Sequence, residues 1–260
     1  MAGPTSGSNV LQAALRRERV IMALGLLGLA ALAWVYIVRL AVPRMEMSMP
    51  MGAAGWSIEE LGWLVTMWTV MMVAMMIPSA TPAIVQYADV SRRRRARSLP
   101  AVSAGWFTLG YLLAWTAFAI VAATAQWVLH RAALLSPAMT SASPLLGGGL
   151  LIAAGLYQWL PLKGMCLTHC RSPLGVFAAD WREGPGGALT MGLRHGSHCV
   201  GCCWLLMALL FVAGVMNLLW IAAIAGFVLV EKVVPGGRVV GRVAGAALLG
   251  WGVLTLAGRV

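Results

Sequence analysis

The stretch VIMALGLLGLAALAWVYIVRLAV, residues 20–42, carries one charge in 23 positions and is closed by Pro43. A run of 18 or more apolar residues is long enough to cross the hydrocarbon of a bilayer as a helix. The rest of the chain repeats this pattern. Of 260 residues, 60% are apolar and 10% charged, against about 25% charged in soluble domains, and the mean hydropathy is +0.84. The sequence therefore predicts an all-α, polytopic transmembrane helix bundle. Residues 1–19 are expected to form a cytoplasmic N-terminal tail, and 20–257 a single transmembrane helical domain. About seven spans fit, near 20–42, 58–78, 101–129, 144–161, 188–213, 216–234 and 240–257, with a polar stretch between the fourth and fifth. The apolar run after Arg16, Arg17 and Arg19 lacks a small-residue cleavage site and reads as an anchor rather than a removable signal.

Lys and Arg on alternate sides set the orientation. With the N-terminus inside, the inner set is Arg16, Arg17, Arg19, Arg92, Arg93, Arg94, Arg95, Arg97, Lys163, Arg171, Arg182, Arg194, Lys232, Arg238 and Arg242, and the outer set is Arg39, Arg44, Arg131 and Arg259. Fifteen against four predicts N-terminus in and C-terminus out, in a bacterial-type inner membrane. The formal charge of +11 then sits in short connections facing anionic membrane lipids, and no aromatic-interleaved basic patch points to nucleic acid. Gly192/Gly196 and Gly241/Gly245 have the four-residue spacing that lets helix backbones approach closely.

Five cysteines exclude a fully paired disulfide framework and turn the reading to metal or redox chemistry. In RHGSHCVGCCW, His195, His198, Cys199 and Cys202 fall at helical offsets 0, 3, 4 and 7, within one arc, with Cys203 beside them. Imidazole and thiolate together suit copper or zinc, and such groups inside a membrane are costly enough to imply function. Upstream, Cys166, His169 and Cys170 occupy one helical turn. They make a clip that is not a closed site alone but can complete one with the later face, with Lys163 and Arg171 placed to favour thiolates.

Two methionine groups add soft thioethers. Met45, Met47, Met49 and Met51 alternate in RMEMSMPMG on the outer side, while Met67, Met71 and Met75 form one stripe of the second span and Met72 and Met76 another. Methionine is also packing material, so this second group reads as a ligand path only as a set. His130 reads as headgroup-facing, and Asp89 and Glu231 as solvated or paired with nearby arginines. No paired carboxylates, Gly-rich phosphate loop or G-x-S-x-G occurs, so hydrolysis and nucleotide-driven transport have no support.

Three runs, WTVMMVAMMIPS (68–79), PLKGMCLTHCRSP (161–173) and GLRHGSHCVGCCW (192–204), resemble the bacterial family of predicted metal-binding integral membrane proteins, domain of unknown function 2182. The resemblance spans residues 20–257 and implies metal binding on a polytopic membrane protein. The alternating methionines from Met45 lie outside these runs and rest on ligand chemistry alone. The sequence thus predicts handling of a soft metal, Cu(I) first and zinc second. Capture at the outer methionines would be followed by passage along the second span and tighter binding at the histidines and cysteines, for transport or for exchange with a metal-donating or metal-receiving membrane protein. Two alternatives stand beside it. One is a thiol–disulfide oxidoreductase using the Cys199/Cys202 pair, whose depth in the membrane would bar a protein substrate. The other is a scaffold subunit without chemistry.

Overall fold

A computed structural model of the chain describes residues 6–46, 58–136 and 140–258. Its regular elements are all helical: α1 Ser6–Glu46, α2 Ile58–Arg95, α3 Ala104–Arg131, α4 Pro144–Tyr157, α5 Pro161–Arg171, α6 Pro173–Ala179, α7 Gly184–Ala208, α8 Leu210–Ala213, α9 Leu218–Val233 and α10 Gly237–Leu256. Proline in the first turn, where the missing N–H costs nothing, starts α4, α5, α6 and α7. Gly214, with φ of +99°, separates α8 from α9, and Gly236, with φ of +83°, turns the chain from α9 into α10.

Several boundaries differ from the sequence expectation. The helix of the first span begins at Ser6, within the expected tail. The second does not stop at Pro78: α2 runs through Pro78 and Pro82 to Arg95. The Ser79 and Thr81 hydroxyls there donate to the Met76 and Ile77 carbonyls, the local adjustment by which an apolar helix tolerates proline. The fourth span is shorter than expected, because α4 ends at Tyr157 and the chain bends by 64° into α5. The polar stretch that follows holds two helices, α5 and α6. Five helices are long and apolar enough to cross a membrane, or six if the α4–α5 pair is one span; α9, with 16 residues, falls short of the length used for the expected sixth span.

Large apolar side chains lie on the outside, Leu24, Leu32, Leu145 and Leu219 among them, an arrangement compatible with a membrane protein. Inside, Trp68, Trp115, Tyr87, Tyr111 and Phe107 are buried where α2, α3 and α7 meet. The α3–α7 seam is the closest approach. A Cβ at Gly192 would lie 1.9 Å from the Phe107 carbonyl oxygen, so only glycine fits. Gly192→Ala is expected to lose about 1–3 kcal/mol by overpacking, read as a lower unfolding midpoint in detergent, whereas Gly149→Ala, with open space at its Cβ, should not lower it. The second small-residue pair is also at a seam: Gly245 faces the Gly155 carbonyl of α4, and Gly241 faces Gln158 and Glu231.

One end of the bundle gathers basic groups and their partners. Arg19 pairs with Asp89 at 2.8 Å, Arg92 with Glu18 and Asp89, Arg94 with Glu183 at 2.6 Å, and Arg194 with Asp180. Asp89 is thus paired with arginines, as its sequence context implied. Glu231 is not solvated: it is 2% exposed and pairs with Lys163, itself 3% exposed. Arginine enters only through Arg171, which donates to the Glu231 carbonyl.

Candidate metal centre

The helical period of α7 buries His195, Cys199, Cys202 and Cys203 and leaves His198 half-buried. The Cys202 and Cys203 thiols each donate to the Cys199 carbonyl at 3.0 Å. This is the back-bonding a polar side chain adopts in a helix when no other acceptor is offered. The Cys199 sulfur has two further neighbours, the Lys232 ammonium at 2.8 Å and the Tyr111 hydroxyl at 3.1 Å. Lys232 also donates to Ser79 Oγ at 3.1 Å, and Tyr111 to the Met76 carbonyl at 3.4 Å. One polar network therefore joins α2, α3, α7 and α9 around a single sulfur.

Against the other side of this face lies α5, antiparallel to α7. Its Cys170 lies beside Cys199 and Cys202. Its Cys166 sulfur sits over Gly201, where a Cβ would be only 2.9 Å away. The His169 and His198 rings stack, with centroids 4.1 Å apart and planes 13° from parallel. Each Nδ1 faces the carbonyl four residues earlier, Met165 at 3.2 Å and Arg194 at 2.7 Å. With Nδ1–H donating, each Nε2 keeps a lone pair for another partner. Tyr157, at the end of α4, donates to the Gly201 carbonyl and secures this contact.

All five cysteines are free thiols, and the two cysteine runs meet. His195 packs against the rings of Phe107 at 5.8 Å and Tyr111 at 6.0 Å. Among the described residues no set of three or more His, Cys, Asp or Glu side chains is already arranged to hold a metal ion. The sulfurs are instead engaged with Lys232, Tyr111 and the Cys199 carbonyl, so loading a metal requires rotamer changes and release of thiol protons. The donor set itself, thiols with two imidazole lone pairs, is chemically suited to a soft cation.

Met67, Met71, Met72, Met75 and Met76 are all buried in the core that carries this face. Met47, Met49 and Met51 lie outside the described residues, and only the backbone of Met45 is described, in the last turn of α1. His130 ends α3, half-buried and away from the sulfurs. The cation at the sulfurs is Lys232. Lys163, expected in that role, is committed to Glu231 and Gln158, and Arg171 to the Glu231 and Val234 carbonyls. Lys232 carried a signal, two adjacent charges in Glu231–Lys232 closing an apolar helix; Tyr111 and Ser79 carried none.

Compared with known proteins, residues 65–255 match the family model described as PpoB2, copper chaperone. That stretch includes α3 to α10 and every cysteine and histidine above. No curated protein and no solved structure matches the chain.

Proposed function

The chain belongs to the PpoB2 copper chaperone family, and from this premise we propose that it is a membrane-embedded Cu(I) carrier that holds the ion between α5 and α7 and passes it to another membrane protein. The observation that carries the proposal is the meeting of the two cysteine runs, which stacks His169 on His198 with centroids 4.1 Å apart and sets the Cys166 sulfur over Gly201. Cu(I) prefers two or three soft donors and exchanges them readily. A cluster of thiols offering more sulfurs than the ion needs supports stepwise hand-over. The His169–His198 pair stands beside the sulfurs and would supply nitrogen donors, with the buried methionines of α2 as neutral neighbours. Seven spans, with α9 as the sixth and the N-terminus inside, place the paired basic end of the bundle at the cytoplasmic face of an inner membrane.

X-ray absorption of the Cu(I)-loaded protein tests this. A sulfur-dominated shell with a nitrogen component that disappears in His169→Ala/His198→Ala is the expected result; an oxygen- and nitrogen-only shell unchanged in cysteine variants would sink the proposal. A second reading, thiol–disulfide exchange, draws on the position of Cys170 beside Cys199 and Cys202. It predicts that the double histidine variant leaves the free-thiol titre and its response to oxidant unchanged, and that wild type retains no Cu(I).

A further inference from the structure

A cavity of about 280 Å³ opens beside the bend between α4 and α5, and Gln158, Trp159, Lys163, Glu231, Arg238 and Arg242 help to line it. Its charges do not cancel. Glu231 gives both carboxylate oxygens to Lys163, at 2.7 and 2.8 Å, and that pair is neutral. Arg238 donates to Thr168 Oγ1 at 2.6 Å, and neither it nor Arg242 has a carboxylate partner among the described residues. The lining therefore keeps two positive charges.

Gln158 adds a directional element. It is 8% exposed, and its Oε1 accepts from Lys163. That fixes the amide orientation, since the flipped form would set a donor against an ammonium. Its Nε2 is then a buried donor without an acceptor among the described residues, a state that costs free energy until an acceptor arrives. Two guanidinium forks and an amide donor converging on one cavity form a receptor for a tetrahedral oxyanion, because guanidinium matches phosphate geometry with paired N–H donors. The rim is apolar and exposed at Trp159, Leu160 and Met165, as acyl chains beside a headgroup would require.

We propose that this cavity is a binding site for a phosphate oxyanion, supplied either by the phosphodiester of an anionic phospholipid or by inorganic phosphate. The test is the unfolding midpoint of the full chain in detergent during titration with phosphatidylglycerol, phosphatidylcholine or inorganic phosphate, with chloride at matched ionic strength as control. Saturable stabilisation by phosphatidylglycerol alone assigns the lipid, and saturation by inorganic phosphate assigns the free anion. In either case Arg238→Ala/Arg242→Ala should weaken the apparent affinity roughly tenfold or more, while Arg238→Lys/Arg242→Lys keeps part of it. Gln158→Met, which retains the shape and removes the donor, should also weaken it. Both arginines are surface residues, so their variants fold and decide the matter even if Gln158→Met lowers the basal midpoint. No saturable response to phosphatidylglycerol or phosphate, or equal responses in wild type and the arginine-to-alanine variant, overturns the proposal.

Discussion

Cys199→Ser is expected to remove Cu(I) retention, with a loss of affinity larger than the about 10–100-fold that follows removal of a residue outside the ligand shell. Cys199 is the sulfur around which the others are arranged. Cys202 and Cys203 donate to its own carbonyl, the Tyr111 hydroxyl lies 3.1 Å from its sulfur, and Lys232 brings a positive charge to 2.8 Å. Serine, slightly smaller than cysteine, can still hydrogen-bond Lys232 and Tyr111 but replaces a soft donor with a hard one, so the fold is expected to survive while the affinity does not. Cys166→Ser, at a half-buried sulfur over Gly201, should have a smaller effect. Competition with a chromogenic Cu(I) chelator measures both. An affinity in Cys199→Ser equal to wild type would rule out a site centred on this sulfur.

The second large effect concerns stability. Lys163→Met should cost about 3–5 kcal/mol, the usual result of leaving one charge of a buried ion pair uncompensated. Lys163 and Glu231 are 3% and 2% exposed, and they join α5 to α9 across 68 residues of sequence. The double variant Lys163→Met/Glu231→Leu removes both charges and should regain most of the loss, because apolar replacements of a buried pair are often neutral. Unfolding midpoints of the wild type, both single variants and the double variant give the coupling directly. A double variant as unstable as Lys163→Met alone would show that the lost stability comes from packing rather than from charge.

The sulfur-rich face of α7 was legible because a 3.6-residue period converts offsets 0, 3, 4 and 7 into one arc, and no tertiary knowledge is needed for that. The turn carrying Cys166, His169 and Cys170 was legible for the same reason, but its partner was not. Residues 161–187 are polar and proline-punctuated, and only the antiparallel packing of α5 on α7 sets His169 over His198. Pro78 misled as a helix stop, since a proline in an apolar helix packed against neighbours bends it more readily than ends it. Lys232 and Glu231 read as boundary charges because the sequence places them at a helix end. Their burial depends on Ser79 and Lys163, which lie 153 and 68 residues away. The helical period also sets His195 on the buried face of α7, where it packs against the Phe107 and Tyr111 rings of α3; that packing had no signal in the sequence.

The bend after Tyr157 has a consequence for how the protein is made. Neither α4, with 14 residues, nor α5, with 11, reaches the about 20 residues that hold a helix across a bilayer unaided. The groove that receives α4 is the glycine-lined side of α10, where Gly252 meets the Gly148 carbonyl and Gly245 the Gly155 carbonyl, and α10 is synthesised about 90 residues after α4. In the membrane setting proposed above, insertion therefore cannot proceed strictly in the order of synthesis. The half-helices around the bend are then expected to wait at the translocon or the membrane surface until α9 and α10 arrive, so Cys166 and Cys170 meet α7 late and the site is completed only after α10 has been made.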